Sequence, residues 1–169
     1  MPITTSDIQI RLTGGSGNTD PNLSLGGAVS STALVDNTTH NLFDEVSGSE
    51  SLAGDIEYRV LAVRNGHASL TMKSTKVYIS QDSTNANSEL DIALDGNGLN
   101  TNPETLTNES TAPSGESFTH PTDYSGGLNM GNIPSTQFYG LHLRRTITAG
   151  AGASTPDEAR FKVDCDTDA

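Results

Sequence analysis

The stretch IEYRVLAVRNGHASLTMKSTKVYIS, residues 56–80, decides the fold class of this chain. Its first half alternates apolar and polar side chains with the two-residue period of a half-buried β-strand. The dipeptide Asn65-Gly66 follows, which is typical of tight turns next to strands. The second half resumes the alternation, and an irregularity at residues 74–75 indicates a β-bulge or a break into two short strands. The stretch therefore predicts two strands separated by a turn.

The same alternation recurs along the rest of the chain. Further strands are predicted at residues 7–13, 89–95, 138–147 and 158–165, with short extended pieces near residues 28–34 and 128–130. Turn residues separate these segments, and none has the 3.6-residue period of a long helix. Roughly seven to nine strands spaced in this way predict an all-β fold. We expect an antiparallel two-sheet sandwich, immunoglobulin-like or jelly-roll-like, with long loops rich in Gly, Ser, Thr and Asn.

A length of 169 residues suits a single domain with its own core. We expect residues 1–27 to form an N-terminal strand followed by a flexible, Gly-rich arm, and residues 28–169 to form the body of the sandwich. Removal of residues 1–27 is then expected to leave a folded core. Only 33% of the residues are hydrophobic, which is also a mark of disorder, but the strand patterning argues against a disordered chain.

The formal net charge is −12, from 21 acidic and 9 basic residues. Such a surface repels phosphate backbones and anionic lipids, so we expect neither nucleic acid nor a membrane as a partner. We see no signal peptide and no window of about 18 apolar residues that predicts a membrane span. The single cysteine, Cys165, can form neither an internal disulfide nor a cysteine-based zinc site.

The basic residues lie in predicted strands, whereas the loops are neutral or acidic. They either point outward and discourage edge pairing, or form a face that contacts a partner. The candidate partner contacts are Arg11, Arg59, Arg144 and Arg145. Neighbouring strand residues face opposite sides, so only one of Arg144 and Arg145 can face a given partner.

Acidic residues cluster in and around residues 42–57, which raises the question of a catalytic or metal site. Asp44 and Glu45 are adjacent and point to opposite sides of an extended chain, whereas Asp55 and Glu57 share a face. A glycosidase-like pair also needs a cleft, usually with aromatic side chains for sugar stacking. The chain has no Trp and is only 5% aromatic, so we interpret the acids as part of a loop.

Apolar residues within this acidic loop are predicted to anchor it. We expect Leu42, Phe43 and Val46 to insert into the core. The loop then leads into a strand on which Tyr58 is buried and Arg59 faces outward.

No other pattern predicts chemistry. The segment DIALDGNG, residues 91–98, lacks the ligand ladder of a calcium loop, and an Asx turn at Asp95 explains the same letters. The histidines have no metal-ligand spacing, and His142 is expected on the polar face of a strand. Nucleophile elbows and phosphate-binding loops are absent from the sequence. We therefore predict a non-enzyme, with no catalytic residue, no cofactor and no metal.

Two blocks of sequence resemble a known group of proteins. NLFDEVSGSESLAGDIEYRVLAVRNGHASLTMKSTKVYIS, residues 41–80, is similar to a recurring block in virion structural proteins of tailed bacteriophages. A second block, residues 125–153, resembles the same group: SGGLNMGNIPSTQFYGLHLRRTITAGAGA. The shared features are a turn before a strand and the sequence motifs RRT and AGA that follow. The chain departs from the group at KVYIS, where a Trp-containing segment is expected, and in residues 82–110.

The resemblance implies a capsid decoration, or cement, protein on the outside of a phage head. Its partner would be the major capsid protein, and it would act as a homo-oligomer or in multiple copies on a symmetric shell. Assembly in the host cytoplasm and a final place on the virion surface follow from that role. The alternatives are a tail or baseplate component, or a carbohydrate- or calcium-binding β-sandwich module for adhesion. A hydrolase is a more distant alternative.

Overall fold

Two antiparallel β-sheets packed face to face form the protein, in a computed structural model that describes residues 2–152 and 157–167. The elements are β1 (Ile8–Leu12), α1 (Gly48–Ala53), β2 (Asp55–Asn65), β3 (Met72–Gln81), β4 (Ser88–Leu94), β5 (Leu128–Ile133), β6 (Phe138–Ile147) and β7 (Arg160–Thr167), with short 3₁₀ turns at Thr5–Asp7 and Pro21–Leu23. The first sheet has the strand order β1-β2-β6-β4, and the second has β5-β3-β7. The predicted all-β, two-sheet architecture is confirmed.

The Asn65-Gly66 turn carries the chain from one sheet to the other, because β2 belongs to the first sheet and β3 to the second. The buried Asn65 amide donates hydrogen bonds to the carbonyls of Leu70 (2.8 Å) and Ile133 (2.9 Å), which fixes the crossing. The predicted irregularity in the second strand is present as register shifts between β3 and both of its neighbours. Ser74 there has a positive φ of 49°.

The main core lies between the sheets. Its buried members are Leu12, Leu42, Leu61, Val63, Met72, Val77, Ile79, Leu90, Ile92, Met130, Ile133, Leu141 and Leu143. The central strands β2 and β6 pair over ten residues, from Asp55 with Ile147 to Arg64 with Phe138. Alternate residues of these strands therefore face the second sheet, and the intervening ones face away from it.

The outer face of the first sheet is covered by residues 101–120, here called the covering segment. Leu106 is 5% exposed and packs against Tyr58 and Val60 of β2, and the Phe118 ring lies 5.5 Å from that of Tyr58. The approach is close: a Cβ at Gly140 of β6 would lie 3.0 Å from the Pro103 side chain. A stretch that reads as loop in the sequence thus forms a third layer.

Residues 2–27 belong to the folded body, which differs from the arm expected from the sequence. Every residue of β1 is paired with β2. The segment that follows turns back onto the first sheet, where the buried hydroxyls of Thr13 and Ser24 both donate to the carbonyl of Val60, at 2.6 and 2.8 Å. The Val60 N–H in turn donates to the carbonyl of Ser24 at 2.8 Å, so these bonds fasten residues 13–24 to the sheet.

Candidate functional site

The predicted anchors of the acidic loop lie on both faces of the first sheet. Leu42 is buried in the main core, and Phe43 packs against that core while remaining partly exposed. Tyr58 is buried under the covering segment, and Val46 is half-buried. Leu42 and Phe43 thus anchor the loop on the main core.

Arg59 does not face outward as a partner contact, because the structure buries its side chain completely. Its Nη2 lies 2.7 Å from Glu109 Oε2, and its Nε donates to the carbonyl of Leu42 at 3.2 Å. The guanidinium also lies 5.3 Å from the centre of the Phe43 ring. A buried cation needs such partners to offset its loss of hydration. The sequence gives no sign that Glu109, fifty positions further along the chain, is one of them.

The buried Glu57 and the partly buried Arg145 form a second ion pair, directly across the β2–β6 ladder. Arg145 also donates to the carbonyl of Asp44 at 2.7 Å, and its guanidinium lies 5.0 Å from the centre of the Phe43 ring. Burial raises the pKa of Glu57 to about 7, although the charges of Arg145 and, more weakly, Arg59 lower it. Desolvation thus outweighs the attraction of the guanidinium.

Together these residues form the Phe43 network: Phe43, Glu57, Arg59, Glu109 and Arg145. The aromatic ring contacts two guanidinium groups, an arrangement that cation–π attraction stabilises. The network joins the acidic loop, the first sheet and residue 109. Within the network, the carboxylate of Glu57 accepts a hydrogen bond from Arg145.

Arg144 points to the opposite face of β6 and holds the covering segment. Its Nη2 and Nε lie 2.6 and 3.1 Å from Oδ2 of the buried Asp91, which is directly across from it on β4. The guanidinium lies 5.0 Å from the centre of the Phe118 ring. Arg144 therefore also has internal partners on its own molecule.

Asp95 forms the predicted Asx turn, since its Oδ1 accepts from the backbone N–H of Asn97 at 2.9 Å. Its Oδ2 accepts from the Glu104 N–H at 2.7 Å and lies 2.8 Å from His142 Nε2. His142 is fully buried, not on an exposed polar face, because the covering segment lies over it.

Two groups of carboxylates and a histidine lie close enough to share a cation, with ligand atoms within 4.8 Å of one another. They are Asp95, Glu116 and His142, and Glu89, Asp91 and His120. Hydrogen bonds within the protein already engage most of these carboxylates: both oxygens of Asp95, one of Asp91, and one of Glu116, which accepts from the Gly96 N–H at 2.8 Å. These bonds account for the arrangement as part of the fold.

Arg11 is the candidate contact that remains at the surface, and the structure brings it beside Arg64, which sequence reasoning missed. Arg11 Nη2 and Arg64 Nη1 both donate to Gln9 Oε1, at 2.8 and 2.9 Å. Gln9 and Arg64 are direct partners in the β1–β2 ladder. Among the described residues, neither arginine has a carboxylate within 4.0 Å.

Within residues 2–152 and 157–167, no helix has both the length and the apolar character that crossing a bilayer requires. The comparisons with known proteins found no match to this chain among family models, curated proteins or solved structures.

Proposed function

We propose that the protein is a non-enzymatic virion structural protein that decorates the outer surface of a bacteriophage head. In this proposal it binds the major capsid protein in multiple copies and stabilises the shell. Many weak contacts repeated on a symmetric surface then give a high overall affinity.

One observation carries the proposal: in the block that resembles phage virion proteins, the buried charged side chains bond within the chain. In residues 41–80, the charged side chains of Glu57 and Arg59 hold strands and loops together in the Phe43 network. The two arginines of this block, Arg59 and Arg64, both donate hydrogen bonds to acceptors of their own chain. A rigid, acidic body of this kind suits a role that consists of binding neighbours.

The proposal is tested by adding the purified chain to phage heads that lack it. We expect the chain to sediment with the heads to a fixed stoichiometry and to raise the temperature at which they release their DNA. Binding to isolated tails but not to heads would contradict the head assignment and favour a tail or baseplate component.

A second candidate is a cation-binding β-sandwich module, favoured by the two groups of carboxylates and a histidine. A histidine ligand suits a transition metal such as zinc better than calcium, which prefers oxygen ligands. A rise of more than about 5 °C in the melting temperature on adding zinc, reversed by a chelator, would support this candidate. An unchanged melting temperature would exclude it.

A further inference from the structure

A groove of about 450 Å³ lies on the outer face of the first sheet, beside Arg11 and Arg64. Its other lining residues are Ser16, Val29, Ser30, Ser31, Thr136 and Phe138. The wall thus combines two guanidinium groups with hydroxyls and an aromatic ring, and we call it the Arg11–Arg64 groove.

The two guanidinium groups converge on a single neutral acceptor. Gln9 Oε1 accepts hydrogen bonds from Arg11 Nη2 at 2.8 Å, from Arg11 Nε at 3.2 Å and from Arg64 Nη1 at 2.9 Å. Arg11 also donates to the carbonyl of Ser31. A guanidinium has five N–H donors, so each arginine keeps further donors for a ligand.

Gln9 is itself held in place, which fixes the separation of the two charges. Its side chain packs over Gly66, where a Cβ would lie only 2.4 Å from Gln9 Nε2. Gly66, in the turn after β2, thereby leaves room for the Gln9 amide, whose oxygen is bonded to both arginines.

Within residues 2–152 and 157–167, no carboxylate lies within 4.0 Å of either guanidinium of this groove, in contrast to the other arginines. Arg59, Arg144, Arg145 and Arg160 each have a carboxylate partner within the chain. The acid nearest to Gln9 in sequence, Asp7, accepts hydrogen bonds from Thr4. Two like charges that share a neutral oxygen repel each other, and an oxyanion placed between them removes that cost.

We propose that the Arg11–Arg64 groove binds a carboxylate side chain presented by an acidic segment of a partner protein. Guanidinium groups match the planar, two-oxygen geometry of a carboxylate. Val29 and Phe138 add apolar wall that a peptide segment can cover, which a free inorganic anion would leave bare. The partner's identity as a capsid protein rests on the proposed function, but the chemistry of the groove does not.

The test uses the isolated full chain and NMR of the arginine Nε–H groups. A capped hexapeptide rich in Glu and Asp is titrated at constant ionic strength, beside the same peptide carrying Gln and Asn, and beside inorganic phosphate. We expect the acidic peptide to shift the Arg11 and Arg64 signals and the amide peptide to leave them in place. The variant R11Q/R64Q is expected to bind the acidic peptide about tenfold more weakly or worse.

Arg160→Gln is the matched control, because Arg160 is an exposed arginine whose Glu158 partner lies on its own chain. Its affinity for the peptide is expected to stay within about twofold of that of the wild type. If R11Q/R64Q does not fold, the comparison of acidic and amide peptides on the wild type decides the matter.

Equal shifts with both peptides, or none at either arginine, would overturn the proposal. So would shifts with phosphate as large as those with the acidic peptide, since these would make the groove a site for free anions. A chain that binds the acidic peptide but not phage heads would leave the groove established and refute the proposed function.

Discussion

Glu57 and Arg59 show how single residues of an acidic, polar chain come to hold its core together. Both lie on the face of β2 that also carries the buried Leu61, at the end of the sandwich. Each is stabilised by an opposite charge from another part of the chain, Arg145 and Glu109 respectively. Burial of a charge is strongly unfavourable without such a partner, so removing only the partner of a buried charge is expected to destabilise the fold.

The raised pKa of Glu57 gives a pH dependence of stability with a definite sign. In the unfolded chain this carboxyl titrates near 4.5, and in the folded chain near 7. The folded state therefore binds more protons between these values, and the free energy of unfolding falls as the pH rises through that window. We expect Glu57→Gln, which mimics the protonated form, to remove a decline on the order of 2 kcal/mol between pH 5 and pH 8.

Urea unfolding of the wild type and the variant at both pH values measures this difference directly. Other groups that titrate in the same window contribute to both proteins. The informative quantity is therefore the difference between wild type and variant in how steeply the free energy of unfolding changes with pH. Parallel slopes would show that Glu57 is charged throughout and that the Arg145 pair controls its pKa.

The ion pairs should differ sharply in their contribution to stability. Glu109→Gln leaves the fully buried Arg59 without its charged partner, and we expect the free energy of unfolding to fall by about 1–3 kcal/mol. Glu158→Gln breaks the exposed pair with Arg160 and should change it by less than about 0.5 kcal/mol. Equal effects in denaturant unfolding would contradict the structural role assigned to the Phe43 network.

At the scale of elements, the covering segment has no regular secondary structure of its own, yet it buries the outer face of the first sheet. Leu106→Ala is expected to lower the free energy of unfolding by about 3 kcal/mol, because it opens a cavity over Tyr58 and Val60. Leu52→Ala is the control, since Leu52 is 77% exposed on α1 and its loss should cost less than about 0.5 kcal/mol. A small effect of Leu106→Ala would mean that the segment does not pack as described.

The strands could be predicted from the sequence because alternation is a local signal. The observed bounds of β6 coincide with the predicted range, and those of β2 and β4 differ from the predicted 56–64 and 89–95 by one residue at each end. The helix α1 was missed, although Ser47 and Glu50 form the capping box that marks a helix start. That signal could have identified Glu50 as a capping residue and removed it from the acids considered for chemistry.

The burial of Arg59 and His142 could not be read from strand patterning. Alternation predicts which residues share a face, but not whether a distant loop covers that face. The covering segment over His142 lacks a periodic pattern, and Glu109 is separated from Arg59 by β3 and β4. The Arg11–Arg64 groove likewise depends on the register of β1 against β2, a pairing between strands far apart in sequence.

At the scale of the whole molecule, the N-terminal residues complete the first sheet. We expect deletion of residues 2–27 to abolish cooperative unfolding, because β1 covers one side of β2 and Leu12 is 1% exposed in the core. Circular dichroism melting and the dispersion of amide NMR signals measure this. A deleted chain that keeps both would instead support a detachable arm.

The molecule as a whole has a net charge of −12, yet most of its arginines are committed to internal ion pairs. Among the described residues, Arg11 and Arg64 are the arginines without a carboxylate within 4.0 Å, on a chain that is acidic overall. The proposed function requires the protein to lie on the outer surface of a phage head.

A cryo-EM reconstruction of the intact virion whose genome encodes this chain tests that claim most directly. We predict density matching the two-sheet sandwich and its covering segment at repeated positions on the outer surface of the head, in contact with the major capsid protein. Density for the chain in the tail or baseplate, or none anywhere in the particle, would contradict the proposed function.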